Sequence, residues 1–97
     1  MAFEKLVRDG YDTLPHRVAG IAERYFLLAA KLDEEIAEVK SAAIGTQEFV
    51  SELADVVEVC YALGGESAVE AARLAKKATR GGFDQLLVMR LSDRTDK

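Results

Sequence analysis

The chain has 97 residues, 49% of them hydrophobic, which suits one small globular domain, and no apolar run approaches the ~20 residues a membrane-spanning helix needs. Thirteen basic residues against 17 acidic ones leave a net charge of −4, so a nucleic-acid polymer, whose binders carry a basic surplus, is not an expected partner. The single cysteine, Cys60, cannot form an internal disulfide, and the single histidine, His16, leaves His-based metal sites and serine-type triads little to work with. No basic stretch followed by an apolar run and a small-residue cleavage site is seen, so a cytoplasmic location is expected.

Residues 1–16 read as an irregular arm. Phe3 to Asp9 is short and mixed, and Gly10 followed by Asp12-Thr13-Leu14-Pro15 signals a turn, with His16 at the surface. From about Arg17, the apolar residues Ile21, Tyr25, Leu28, Leu32, Ile36 and Val39 recur at spacings of four and three, the pattern of one buried helix stripe. The spacing predicts a helix of roughly 25 residues, about 38 Å long. Gly45 is the expected stop, and Thr46 the N-cap of a second helix with Gln47 and Glu48 in its first turn.

Helix two carries Phe49, Leu53, Val56, Cys60 and Leu63 on one stripe, which assigns Cys60 to the core, and Gly64-Gly65 ends it. Ser67-Ala68-Val69-Glu70 has the form of a capping box, predicting a third helix to about Thr79. Arg80-Gly81-Gly82-Phe83 breaks the pattern. Leu86-Leu87-Val88-Met89 is an apolar run too short for periodicity to decide between a last helical turn and a brief strand, and residues 92–97 read as a frayed tail. The expected fold is all-α: a helical hairpin plus a third helix in a single domain, 1–97. A first helix this long outruns so small a core, and Ala29, Ala30, Ala37, Ala42 and Ala43 permit close helix approach. Assembly into an oligomeric helical bundle, a homodimer or homotetramer, is therefore expected.

The chemistry concentrates between Lys31 and Asp55. Glu35 and Glu38 on helix one, and Glu52 and Asp55 on helix two, are pairs three apart, so each pair shares a helix face. At about 100° per residue, Glu35 and Glu38 lie roughly 60° and 120° from their stripe centre, and Glu52 and Asp55 about 75° to 135° from theirs. Both pairs flank the seam, and the handedness of the hairpin decides whether they meet or lie on opposite edges. Carboxylates brought together repel, and a cation relieves that repulsion. Oxygen-only ligands select hard ions, Mg²⁺ or Mn²⁺, over zinc, and the absence of Glu-x-x-His disfavours a bundle di-iron site.

Glu34-Glu35-x-x-Glu38, thirteen intervening residues and Glu52-x-x-Asp55 together resemble the EExxE…ExxD signature of the MazG-like all-α nucleoside triphosphate pyrophosphohydrolases. Lys5-Leu6-Val7-Arg8-Asp9, Lys31-Leu32, Glu58 and Lys76-x-x-x-Arg80-Gly81-Gly82-Phe83 look like landmarks of the phosphoribosyl-ATP pyrophosphohydrolase-like subgroup, over residues 4 to 83 or so. Gly10-Tyr11-Asp12 departs from the lysine and isoleucine-proline that commonly follow the opening arginine-aspartate. The resemblance implies Mg²⁺ on Glu35, Glu38, Glu52 and Asp55, with Glu34 orienting or deprotonating the attacking water. It also implies substrate contacts from Lys31, Lys76 and Arg80, with Lys5 and Arg8 reaching the nucleotide from the arm.

Cleaving a triphosphate to a monophosphate and pyrophosphate needs cations, alignment and an oriented water, and two Mg²⁺ ions about 3.5–4 Å apart meet the first need. Lys76 and Arg80, four apart on helix three, equally suit the negative C-terminal end of that helix, and Gly81 equally suits a C-cap. Tyr25, Phe26 and Tyr61 could stack a base, although their helical spacing favours core packing. The expected activity is Mg²⁺-dependent cleavage of NTP or dNTP. Hydrolysis of phosphoribosyl-ATP, or a non-catalytic helical dimerisation or regulatory module, are the alternatives.

Overall fold

A computed structural model describes residues 4–93 as three α-helices and two short 3₁₀ turns, with no strand among the described residues. The order is a 3₁₀ turn at Asp9–Tyr11, α1 Ile21–Ser41, α2 Gln47–Gly64, α3 Glu66–Arg80 and a 3₁₀ turn at Leu91–Asp93. Helices α1 and α2 form an antiparallel hairpin, and α3 packs only on α2. The all-α class and the three-helix order agree with the sequence reading.

Helix α1 starts later than Arg17, at Ile21, because Gly20 holds extended backbone and the Glu23 carboxylate accepts a hydrogen bond from its N–H at 3.0 Å. This is half of a capping box, since glycine offers no side chain in return. The helix stops at Ser41, before Gly45: Ala42 turns to extended backbone while its N–H still bonds the Glu38 carbonyl. Thr46 caps α2 as expected, its Oγ1 accepting from Phe49 N at 3.1 Å.

The expected capping box at Ser67 does not form. Gly65, at φ +87°, ends α2 and begins α3 in a single residue, so Ser67 already lies inside the helix. Gly64 is needed for a different reason: a Cβ there would meet Val69 Cγ2 at 2.9 Å, so the two helices close on a bare backbone. Across this corner, Tyr61 donates to Glu70 at 2.7 Å, and Arg73 holds Glu70 from the next turn of α3.

The Leu86–Met89 run is neither helix nor strand. Leu86 sits at φ +52°, a left-handed conformation incompatible with both, and its N–H closes a turn onto the Phe83 carbonyl. Of the expected frayed tail, Ser92 and Asp93 belong to the last 3₁₀ turn, while 94–97 lie outside the described residues, as do 1–3 of the arm.

Little is buried in one protomer. Val59 is the one buried hydrophobic residue among those described, Cys60 is only half-buried, and Ile21, placed by the spacing on a buried stripe, is 93% exposed. Tyr25 and Phe26 pack edge to face on one another yet remain exposed, against the expectation of core positions. The radius of gyration is 17.1 Å, where a compact chain of this length would have about 13 Å.

Candidate metal and phosphate site

The hairpin brings its acids together. Carboxylate oxygens of Glu35, Glu52 and Asp55 lie within 4.8 Å of one another, joining the middle of α1 to the first half of α2. Glu35 is 5% exposed, the least accessible polar residue of the described chain, so it lies in the helix seam rather than on the flank its spacing indicated. Glu38 stands beside Glu52 at the open side of the cluster, outside the group of three. Contact with Glu38 pushes the Glu52 pKa up, desolvation pushes it further, and the charges of Glu38, Asp55 and Glu35 add to the effect.

Two oxygens of this cluster, Glu35 Oε2 and Glu52 Oε2, are buried and have no hydrogen-bond partner. Leaving a buried carboxylate oxygen unpaired is costly, so the arrangement calls for a cation. The donors are all hard oxygens, and an ion with ligands at 2.0–2.6 Å spans about 4–5 Å between opposite ligands, which matches their separation. The residues therefore fit a hard divalent ion.

Cations from the chain surround the same acids. Lys31 reaches Glu35 at 3.0 Å and Glu34 at 3.1 Å; burial works against its charge, but the two carboxylates outweigh burial and raise its pKa. Lys5 joins Glu34 at 3.1 Å, and Arg8 pairs with Asp55, with Glu58 and Glu35 adding to the negative field at the guanidinium. Lys31 and Lys5 together lower the Glu34 pKa, which makes it a weaker base. Arg17 secures the root of the arm by gripping Glu4 through two nitrogens, at 2.8 and 2.9 Å, and by bonding Glu23 at the start of α1.

Of the residues expected at the site, Glu34, Glu35, Glu38, Glu52, Asp55, Lys31, Lys5 and Arg8 are brought to one region of the hairpin. Lys76 and Arg80 are not. They lie on the second half of α3, which makes no contact with α1, and Lys76 lines a shallow groove with Arg73, Lys77 and Gly81–Asp84. Gly81 closes α3 as a C-cap, its N–H bonding the Lys77 carbonyl at 2.9 Å. The roles of Arg17, Glu4 and Glu23 escaped the sequence reading because exposed charges far apart in sequence carry no periodic signal.

The family profile for phosphoribosyl-ATP pyrophosphohydrolase matches residues 2–81. The chain belongs to this family. Phosphoribosyl-ATP pyrophosphohydrolase relatives are hydrolases of acid anhydrides, and membership makes this chain a pyrophosphohydrolase that acts on nucleotides. The matched span takes in the arm, both acid pairs and all of α3, and ends at Gly81. No curated protein and no solved structure matches the chain. Among the described residues, no helix is long and apolar enough to cross a membrane.

Proposed function

We propose that the protein is a Mg²⁺-dependent nucleoside triphosphate pyrophosphohydrolase, cleaving NTP or dNTP to the monophosphate and pyrophosphate. The observation that carries this reading is the pair of buried, partnerless oxygens on Glu35 and Glu52 beside Asp55, inside a chain of pyrophosphohydrolase ancestry. Glu35, Glu52 and Asp55 would hold Mg²⁺, or Mn²⁺ in its place, with Glu38 completing the set from the open side. Once bound, the ion supplies Lewis-acid stabilisation of charge on the phosphoryl oxygens.

The chain's own residues do the rest. Glu34, fixed by Lys5 and Lys31, accepts a hydrogen bond from water and aligns it for in-line attack on the α-phosphorus. As the water oxygen bonds to that phosphorus, the bond to the bridging oxygen breaks, the pyrophosphate leaves with the electron pair, and the water's proton passes to Glu34 and on to solvent. Lys31, Lys5 and Arg8 neutralise phosphate oxygens on the hairpin side. Lys76 and Arg80 serve the same purpose from the end of α3 of a second copy, since within one protomer α3 does not contact α1.

A homo-oligomer, dimer or tetramer, is part of this reading. Val50, Leu53 and Val57, at spacings of three and four on α2, form an exposed apolar stripe. An exposed apolar stripe on a helix supports contact with another copy. The location is the cytoplasm, where nucleotides are found, and the domain comprises 1–97.

A second reading, hydrolysis of phosphoribosyl-ATP, is favoured by the description of the matching family itself. Pyrophosphate release from a panel of NTPs, dNTPs and phosphoribosyl-ATP with Mg²⁺ separates the two. Turnover of the triphosphates is expected, abolished by Glu38→Gln with helical content intact; turnover of phosphoribosyl-ATP alone would favour the second reading, and turnover of none would refute both.

A further inference from the structure

The arm delivers a cation to an acid that the cluster needs. Arg8 Nη2 donates to Asp55 Oδ1, and Asp55 is one of the three carboxylates that converge. A divalent ion among Glu35, Glu52 and Asp55 would stand next to that guanidinium, and two cations crowding one carboxylate repel each other. That repulsion weakens the hold of the more exposed of the two.

Arg8 is built to yield. Its side chain is 56% exposed, and the 3₁₀ turn that follows it, Asp9–Tyr11, makes no close backbone contact with any of the three helices. Lys31 differs: its side chain is 16% exposed, and it is fixed on α1 one turn from the Glu35 it neutralises. The root of the arm is held as well, by the Glu4–Arg17–Glu23 cluster, so a released Arg8 stays near the acids.

We propose that Arg8 is an exchangeable counter-ion of Asp55, displaced by the entering divalent cation and then turned to the phosphate chain of the incoming nucleotide. This rests on the reading of the acids as a metal site. Its consequence is that metal affinity and substrate affinity respond to Arg8 in opposite directions. An arm that only braced the fold would move both the same way.

Mn²⁺ titration by calorimetry into the full-length wild type, Arg8→Gln, Arg8→Lys and Glu52→Gln, paired with KM for the preferred nucleotide, tests this. Arg8→Gln is expected to bind Mn²⁺ about two- to fivefold more tightly, the factor that removing one exposed ion pair's competition corresponds to. Its KM should rise about tenfold with the loss of a charge-assisted phosphate contact. Arg8→Lys, which keeps the charge and can make the same single contact, should stay near the wild type in both. Equal or weaker Mn²⁺ binding by Arg8→Gln overturns the exchange, and an unchanged KM overturns the phosphate contact. If Glu52→Gln loses Mn²⁺ while Arg8→Gln matches the wild type, the metal site stands and this proposal alone falls. If the wild type takes up no Mn²⁺, both fall.

Discussion

On α2, the face toward α1 carries Glu52, Asp55 and Val59, while the solvent face carries Val50, Leu53 and Val57. An ordinary amphipathic helix has these chemistries reversed, with apolar residues inward and acids outward. The inner face is balanced in part by Arg8 on Asp55, while Glu52 Oε2, like Glu35 Oε2 across from it on α1, still lacks a partner. The outer face stays 42–58% exposed within one protomer. The difference teaches that acids and apolar residues on one helix are set by separate demands: the inner carboxylates converge where a cation is proposed, and the outer stripe lies where a second copy is proposed.

The largest expected effect comes from breaking the inner face. Glu35→Gln keeps the volume of the side chain but removes the negative charge and one oxygen of a proposed metal ligand. Altering groups that merely support a ligand costs about 10–100-fold, so pyrophosphate release should fall by more than about 100-fold while circular dichroism shows the helices intact. Breaking the outer face comes next. Leu53→Asp combined with Val57→Asp places charge on the apolar stripe, and analytical ultracentrifugation should show the assembly reduced to monomers. Retention of the native sedimentation coefficient would remove this stripe from the interface.

Two smaller effects sharpen the contrast by touching neither face. Thr46→Ala removes the cap of the helix that carries both faces, and should cost about 1 kcal/mol in urea unfolding. Glu23, bonded to Arg17 and to the Gly20 N–H, has its pKa lowered from 4.5 to about 2. A carboxylate depressed in the folded state stabilises the protein above its unfolded pKa, and that contribution is lost as pH falls from 4.5 toward 2. Glu23→Gln should therefore flatten the loss of stability across that acid range and leave neutral-pH activity in place. An unaltered slope would show that the Arg17 cluster contributes no pH-dependent stability.

The same comparison explains what could be read in advance. The helices announced themselves through apolar spacing, and Thr46 through its capping chemistry, because both signals are local. The pairing of Glu35 with Glu52 and Asp55 was permitted by helical geometry but not decided by it, since the hairpin's handedness is a tertiary fact. Leu53 reads as inward because apolar spacing marks a single stripe, whereas this helix presents apolar residues to solvent as well. Glu35 was placed on a flank because a buried acid runs against the ordinary ranking of residues by burial. Ser67 failed as a cap because Gly65 could turn the chain sooner. Leu86 to Met89 is an apolar run with no sheet among the described residues to receive it.

The most direct test of the central claim is a crystal structure of the protein grown with Mn²⁺, read by anomalous scattering. The expected result is a peak bounded by the carboxylates of Glu35, Glu52 and Asp55, with oxygen ligands throughout. Clear density for these side chains with no anomalous peak between them, in crystals whose Mn²⁺ far exceeds millimolar affinity, would contradict it.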